Sequence, residues 1–326
     1  MQGPPSPGSL LITEAERIAQ SITNDAWRAF ALFDVAEALA ATNPDRAEHI
    51  AQSIPRGAQK ALALIRIAKA LATTDSARAD RLMTDAERVA RSIPYEDEKA
   101  GTLARAAEAL AVTDPAHAAR LITDAEHIAQ SINGGAFKFA ALLDVAEALA
   151  ATDPDRAERV AQSINGKSWK VPALASLAKA LAATDPGRAA GLFTDAERVA
   201  ESITDRANQA SALVRIAKAL AATDPDRAAR LITDAERIAQ SITDELEKGW
   251  PLRDVAEALA ATDPDRAERI AQLVIEDDAR GEAFAAVAEA LDVTDPARAG
   301  RIVGSITAER WKVSALVRMA RSRAMR

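Results

Sequence analysis

A short turn of the type Thr-Asp-Pro recurs through the chain at only two spacings, and this regularity constrains the fold more than any other feature. Its threonine stands at eight positions: Thr42, Thr74, Thr113, Thr152, Thr184, Thr223, Thr262 and Thr294. Successive threonines are 32 or 39 residues apart, and three consecutive intervals make a larger repeat of 110 residues. Such periods are typical of solenoids, in which one unit cannot bury its apolar face alone and stacks on its neighbours.

Each unit is predicted to be a pair of helices. In the unit that begins at Thr223, Asp224 is a suitable N-cap and Pro225 suits the first helical position. Apolar residues then follow three or four positions apart, first over residues 226–242 and again from Pro251 to Ala261. These patterns place the first helix after the constant turn and start the second near Pro251.

The longer units carry seven extra residues in the first helix. Seven residues are about two helical turns, so the insertion keeps the apolar face in the same direction. Thr233 and Glu236 inside it resemble a capping box, which would favour a break. Because the apolar stripe continues without a phase change, we predict one continuous helix instead.

The predicted fold class is therefore an all-α solenoid of about nine antiparallel helix pairs, forming a single repeat domain over residues 10–326. We expect the units to begin near residues 10, 42, 74, 113, 152, 184, 223, 262 and 294. Residues 1–9 are rich in Pro, Gly and Ser and are predicted to be a disordered linker or the remnant of a tag. The first unit lacks the opening Asp-Pro-x-Arg-Ala, so either Ser9 caps a shortened helix or the array continues a longer chain.

The end of the chain departs from the repeat. Where other copies read AKALAATDP, the last unit reads MARSRAMR, which makes the final helix basic. We interpret this unit as a C-terminal cap with a polar outer face, and a basic docking tail is the alternative. The arginines concerned are Arg318, Arg321, Arg323 and Arg326.

Composition excludes several function classes. The net charge of −7 argues against a nucleic-acid partner, and no apolar run approaches the length of a membrane span. The absence of cysteine fits a reducing compartment, so we expect a cytoplasmic protein. No phosphate-binding loop, dinucleotide motif or metal-ligand spacing is present. We therefore predict no catalytic, cofactor-binding or metal-binding residues, and no enzyme.

The turn between the two helices of a unit varies from copy to copy, while the Thr-Asp-Pro turn is nearly constant. Aromatic and basic residues concentrate at the variable turn: Trp27, Tyr95, Phe137, Trp169, Lys170, Trp250 and Trp311. Variable loops of repeat proteins often form the binding edge. Two interpretations of the rings are open. Either they pack between the two helices of their own unit, or they form a row of exposed anchors for a partner.

Charged residues also recur along the second helices, one step before each Ala-Leu-Ala. The candidate binding residues among them are Glu37, Lys69, Glu147, Lys179, Lys218 and Glu257. A second charged position lies three residues earlier in most copies, on the same helix face. These charges are either a solvated face with ion pairs between units or a charged groove for a peptide.

From Thr42 onward, the pattern ALxxIAxALAxTDPxRAxRL resembles tetratricopeptide-type and HEAT-type α-solenoid repeats. Such arrays, rich in Ala, Arg and Asp, are also similar to the sensor regions of bacterial multidomain signalling and defence proteins. The resemblance implies recognition of a partner. We accordingly predict a non-catalytic scaffold that binds a protein or peptide at the variable edge. A structural spacer or oligomerisation module, including a designed or consensus array, is the alternative, and the repeat is compatible with a homo-oligomer.

Overall fold

The computed structural model describes residues 7–324, and over this range every regular element is an α-helix. The helices are α1 (Pro7–Ser21), α2 (Asp25–Leu39), α3 (Pro44–Ser53), α4 (Gly57–Leu71), α5 (Ser76–Arg91), α6 (Glu96–Leu110), α7 (Pro115–Ser131), α8 (Gly135–Leu149), α9 (Pro154–Ser163), α10 (Lys167–Leu181), α11 (Pro186–Glu201), α12 (Arg206–Leu220), α13 (Pro225–Gln240), α14 (Glu245–Leu259), α15 (Pro264–Gln272), α16 (Asp277–Leu291), α17 (Pro296–Ser305) and α18 (Glu309–Ala324). Odd-numbered helices are the first helices of the repeat units, and even-numbered helices are the second. The all-α solenoid of helix pairs is confirmed.

The inserted seven residues lengthen the first helix without breaking it. Helices α7 and α13 have 17 and 16 residues, whereas α3 and α15 have 10 and 9. The prediction of one continuous helix in the longer units is therefore confirmed.

The second helices begin earlier than predicted. Helix α14 starts at Glu245, six residues before Pro251, and its first backbone N–H groups donate to the side chain of Asp244. Pro251 lies inside the helix. Proline was a misleading start signal here, because α14 continues through it even though Pro251 has no N–H to donate to the preceding turn. Much of each variable turn is consequently the first turn of a second helix.

The constant turns cap the first helices as their sequence predicts. At eight of these turns the Asp or Asn side chain accepts a hydrogen bond of 2.9–3.2 Å from the backbone N–H three residues later. That N–H belongs to the Arg or His of the Asp-Pro-x-Arg motif. The bond satisfies a backbone donor that the helix itself leaves unpaired.

The same residue holds the next unit through its side chain. In seven described steps it reaches the Glu thirty residues earlier, on the preceding first helix, at 2.7–3.1 Å. Arg188 and Glu158 form one such step, and His117 replaces the arginine in the step to Glu87. We call this row of contacts, which are ion pairs except for the hydrogen bond of His117, the first-helix ladder. The fixed spacing of its members was visible in the sequence and was not recognised.

The described chain divides into two compact modules. The terminal module comprises residues up to Ala86 together with those from Leu252 onward, and the central module spans Glu87–Pro251. In the central module α6, α8, α10 and α12 pack side by side, and the first helices lie against them. Fully buried side chains such as Leu103, Leu174 and Ile216 form its core.

The terminal module joins the two ends of the chain. Its second helices pack in the order α16, α18, α2 and α4, and α18 also packs against α1. The face of α18 that we predicted to be the solvated surface of a cap is therefore covered by α1 and α2. Of its arginines, Arg321 pairs with Glu37 of α2, whereas Arg318 pairs with Glu289 of α16 and Arg323 with Asp292, the residue after α16.

The linker prediction needs a second correction. Residues 7–9 form the first turn of α1, so Ser9 lies inside the helix and does not cap it. The reason is that α1 packs against α18, which gives even a Pro- and Gly-rich turn a surface to order on. The remaining part of the predicted linker, residues 1–6, lies outside the described residues, as does Arg326.

Candidate functional site

Exposed apolar side chains concentrate where the first helix of each pair ends and the second begins, which we call the variable edge. Of eleven exposed large apolar residues in the described chain, eight lie there: Trp27, Phe30, Tyr95, Phe137, Leu246, Trp250, Leu273 and Ile275. The other three lie toward the opposite end of the pairs, the constant edge: Leu10, Val112 and Val293. The predicted aromatic positions therefore belong to a wider apolar pattern.

In the terminal module the two ends of the chain build one aromatic cluster, which consists of Trp27, Phe30, Arg310 and Trp311. The guanidinium carbon of Arg310 lies 3.8 Å from the ring centroid of Trp27 and 4.3 Å from that of Trp311. The rings of Trp27 and Phe30 have centroids 6.4 Å apart. Contacts of a cation with two ring faces stabilise this arrangement. Trp27 remains 37% exposed, so part of its ring meets solvent.

Trp311 also lies against the preceding repeat unit. A Cβ atom at Gly281 of α16 would lie 3.0 Å from its Cδ1 atom, so the glycine makes room for the ring. The Trp311 indole N–H is buried and meets no acceptor among the described residues. Trp311 therefore contacts two units, its own through Arg310 and the preceding one at Gly281.

Exposure is greatest in the central module. Phe137 is 68% exposed and Tyr95 is 60% exposed, and Trp250 is 46% exposed. Phe137 is the third residue of α8, two residues after Gly135, and the φ angles of Gly134 and Gly135 are 66° and 76°. Such positive φ values favour glycine, so this turn conformation is specified by the sequence. Trp169, at the equivalent position of α10, is less exposed than Phe137: it is half-buried and lies beside Phe139 and Gly166.

Lys170 has a partner within its own unit. Its Nζ donates 2.9 Å to the backbone carbonyl of Gln162, at the end of α9. Lys60 and Lys138 make the same contact with the carbonyl eight residues earlier. A cation at these carbonyls satisfies orphan acceptors of the helix end and suits its dipole. The lysine is therefore explained by helix capping, which the spacing of eight could have revealed.

The candidate charges on the second helices divide into two kinds. Glu37 pairs with Arg66 at 3.1 Å and with Arg321 at 2.7 Å, and Glu147 accepts from Arg105 at 3.0 Å. These carboxylates connect neighbouring units, as the ion-pair interpretation expects. Glu257 is half-buried. The lysines at the equivalent positions are exposed: Lys69, Lys179 and Lys218.

Two carboxyl groups at the same helical register lie deeper in the joints between units. Burial raises the pKa of Asp34 to about 6, against the opposing effect of Arg318 and Arg321. Burial likewise raises the pKa of Asp144, and Arg105, 3.2 Å away, opposes that shift. Neither carboxyl lies at the variable edge.

The constant edge carries a groove that recurs with the repeat. In the terminal module it encloses about 800 Å³ and is lined in part by Ile12, Leu39 and Arg321, and in the central module a counterpart beside Leu149 encloses about 270 Å³. The groove follows from the stacking of units. Its arginines in the terminal module are all in ion pairs: Arg46 with Glu16, Arg321 with Glu37, and Arg323 with Asp292.

Within residues 7–324, no three His, Cys, Asp or Glu side chains converge on a point that could hold a metal ion. None of the helices in this range is both long enough and apolar enough to cross a bilayer.

No protein-family model matches the chain, and no curated protein matches it. Among solved structures, it is similar to Ton1535 from Thermococcus onnurineus NA1, with 18% identity and a TM-score of 0.36 over 94% of each chain. It is also similar to a STAND protein (Signal Transduction ATPase with Numerous Domains) with a tetratricopeptide repeat sensor from Pyrococcus horikoshii. That similarity has 13% identity and a TM-score of 0.33, and it covers 93% of this chain but 52% of the other. Similarity at this level identifies no function.

Proposed function

We propose that this helical repeat protein is a non-catalytic scaffold that binds a protein or peptide through the variable edges of its units. The observation that carries the proposal is the segregation of exposed aromatic and aliphatic side chains to those edges. Trp and Tyr dominate the energetics of protein interfaces, because they bury much area at little conformational cost.

The two edges differ in what a partner could recognise. At the constant edge the same capped turn recurs, so its polar groups are satisfied locally and each step offers a similar surface. The variable edge changes in charge as well as aromaticity, from acidic at Glu96–Glu98 to basic at Lys167. Specificity needs such differences, since the surface must reject wrong partners as well as attract the right one.

The proposal extends to setting. We propose that the chain works in the cytoplasm of a bacterium, consistent with the lack of cysteine, as the recognition region of a larger protein.

A site-specific crosslinking experiment tests the binding edge. A photoreactive amino acid is placed at Phe137, on the variable edge, or at Val112, on the constant edge, and the full chain is irradiated in an extract of its source. We expect a partner to be captured from position 137 and not from position 112. Capture from position 112 alone would place binding at the wrong edge. Capture of only further copies of this chain would favour the oligomerisation module.

The affinity of the identified partner then measures the anchors. Replacing an exposed ring that contacts the partner, Trp27→Ala or Trp250→Ala, should weaken binding by about 2 kcal/mol, roughly 30-fold in Kd by calorimetry. The matched control Val293→Ala removes an exposed apolar side chain from the constant edge and should leave Kd unchanged. Equal Kd values for wild type and both tryptophan variants would contradict the proposal.

A further inference from the structure

The contact of α18 with α1 and α2, which we call the terminal joint, holds together the first and last repeat units. We propose that this joint exchanges between molecules, so that α18 of one copy docks on α1 and α2 of a second copy and a domain-swapped dimer forms. The partner that this surface fits is therefore another copy of the same chain.

The terminal joint is constructed like a joint inside the array. Helix α18 packs against α2 as α6 packs against α8. Arg318 is the tenth residue of α18 and Arg105 the tenth of α6, while Asp34 and Asp144 are the tenth residues of α2 and α8. Both joints thus place an arginine of one helix opposite a half-buried aspartate of the next. This is the complementarity of a specific interface.

One contact is particular to the terminal joint. Arg321 donates 2.7 Å to Glu37, where other units carry lysine or glutamate at the arginine's position. Backbones also approach closely, since a Cβ atom at Gly8 would lie 3.4 Å from the carbonyl oxygen of Ala320. The two faces recognise each other by charge and by shape.

The terminal joint differs from internal joints in how it is tethered. The side chains of Glu37 and Arg321 are 284 residues apart in the chain, whereas Arg105 and Glu147 are 42 apart and separated by one intervening helix. A short tether makes an internal joint effectively intramolecular. The two faces of the terminal joint, α18 on one side and α1 with α2 on the other, are held together by no such short tether. Helix α18 can therefore also meet α1 and α2 of a second copy, in a head-to-tail contact between chains.

The terminal joint also lacks a step of the first-helix ladder. In the register of the repeat, Pro7 stands where the other steps have arginine or histidine. Gly300 stands where they have the glutamate that this residue contacts. Neither residue type carries a charge. One ion pair that supports the other joints is therefore missing where exchange would have to open the structure.

Charge reversal gives a decisive test. In Glu37→Arg the chain carries arginine at both ends of the contact, and in Arg321→Glu it carries glutamate at both. Each variant alone repels itself, within one copy or between two. A mixture restores both ion pairs, but only when the two different chains exchange α18. We expect a 1:1 heterodimer of twice the 34.4 kDa monomer mass after co-refolding, measured by native mass spectrometry.

Two matched controls isolate the joint. The double variant Glu37→Arg/Arg321→Glu restores the pair within one chain and should return to the monomer–dimer distribution of wild type. The pair Arg105→Glu and Glu147→Arg reverses an internal contact, and its mixture should give no heterodimer. A mixture of the terminal variants that contains only homogeneous species, or an internal pair that dimerises equally, overturns the proposal.

Wild-type protein provides an independent measurement if a single variant fails to fold. Isotopically labelled and unlabelled chains are refolded together at high and at low protein concentration. Mixed-isotope dimers whose fraction rises with concentration, and falls in the variant that lacks residues 309–326, support exchange at α18. Their absence at the highest concentration overturns it.

Discussion

The terminal joint and the internal joint of α6 with α8 solve the same problem in different ways. Each places a half-buried aspartate at the tenth position of the second helix. In the internal joint Gly101 leaves space for Asp144, which reaches Arg105 at 3.2 Å. In the terminal joint Ser314 occupies the glycine's position and donates a hydrogen bond to Asp34. A repeat protein can therefore keep a half-buried carboxylate either by making room for a salt bridge or by supplying a hydroxyl.

The largest effect is expected from filling the space in the internal joint. A Cβ atom at Gly101 would collide with the Asp144 carboxylate, and the valine of Gly101→Val offers that displaced group no hydrogen bond. We expect a loss of about 3 kcal/mol in the free energy of unfolding, from overpacking and an uncompensated carboxylate. Urea denaturation measures it.

The control for this variant is Gly101→Ser, which converts the internal joint into the chemistry of the terminal one. Its hydroxyl should donate to Asp144 as Ser314 donates to Asp34, and the loss should stay near 1 kcal/mol. Equal losses for valine and serine would show that a hydroxyl cannot take the place of the glycine in the internal joint.

A smaller effect follows from the protonation of Asp34. Its pKa is raised from 3.8 to about 6 in the folded protein, so the ionised form is the disfavoured one. The penalty is absent below pH 4, grows as the pH rises through 6 and is complete above it. Unfolding free energy should therefore rise by on the order of 2 kcal/mol between pH 7.5 and pH 4.5 relative to Asp34→Asn, which cannot titrate.

Thermal unfolding of both proteins at the two pH values checks this sign. Arg318 and Arg321 of α18 and Glu37 of α2 face Asp34, and they remain in the variant, so the difference between the two profiles isolates this carboxyl. If wild type gains no stability relative to Asp34→Asn on acidification, the pKa of Asp34 is not raised in the folded protein.

Local rules explain which parts of this structure were predictable. The caps of the constant turns and the apolar stripes act within a few residues, so Asp224 and the helix that follows it could be assigned from the sequence. Closure of the terminal joint could not, because the contact of Glu37 with Arg321 joins residues 284 apart and the basic α18 resembled a solvated end. The burial of Trp311 depends on Gly281, a small residue with no signal of its own.

For the candidate site, the sequence pattern predicted that the aromatic residues lie on one edge, but it did not predict how far each ring is exposed to solvent. Trp27 and Trp169 share a register, yet the first is exposed and the second half-buried, since their neighbours differ. Phe30, Leu246 and Ile275 were missed, because Phe30 lies a turn further along its helix and the exposed aliphatic residues beside the variable turns form no aromatic pattern. Comparing all large apolar residues beside the variable turns would have found them.

The smallest effect is expected from removing one step of the first-helix ladder, the element that the terminal joint lacks. Arg188 bonds Glu158 at 3.0 Å and Asp155 at 2.8 Å on the surface of the central module. In Arg188→Ala the stabilisation from these exposed pairs is lost, but so is the entropic cost of ordering the side chain, so the midpoint of urea denaturation should change only slightly. Screening should shrink it further in 1 M salt, where the Debye length is about 3 Å. Chemical denaturation by urea at low and high salt measures both values. A loss of stability as large as that of Gly101→Val would mean that the ladder holds the units together, and the missing step would then decide how readily the terminal joint opens.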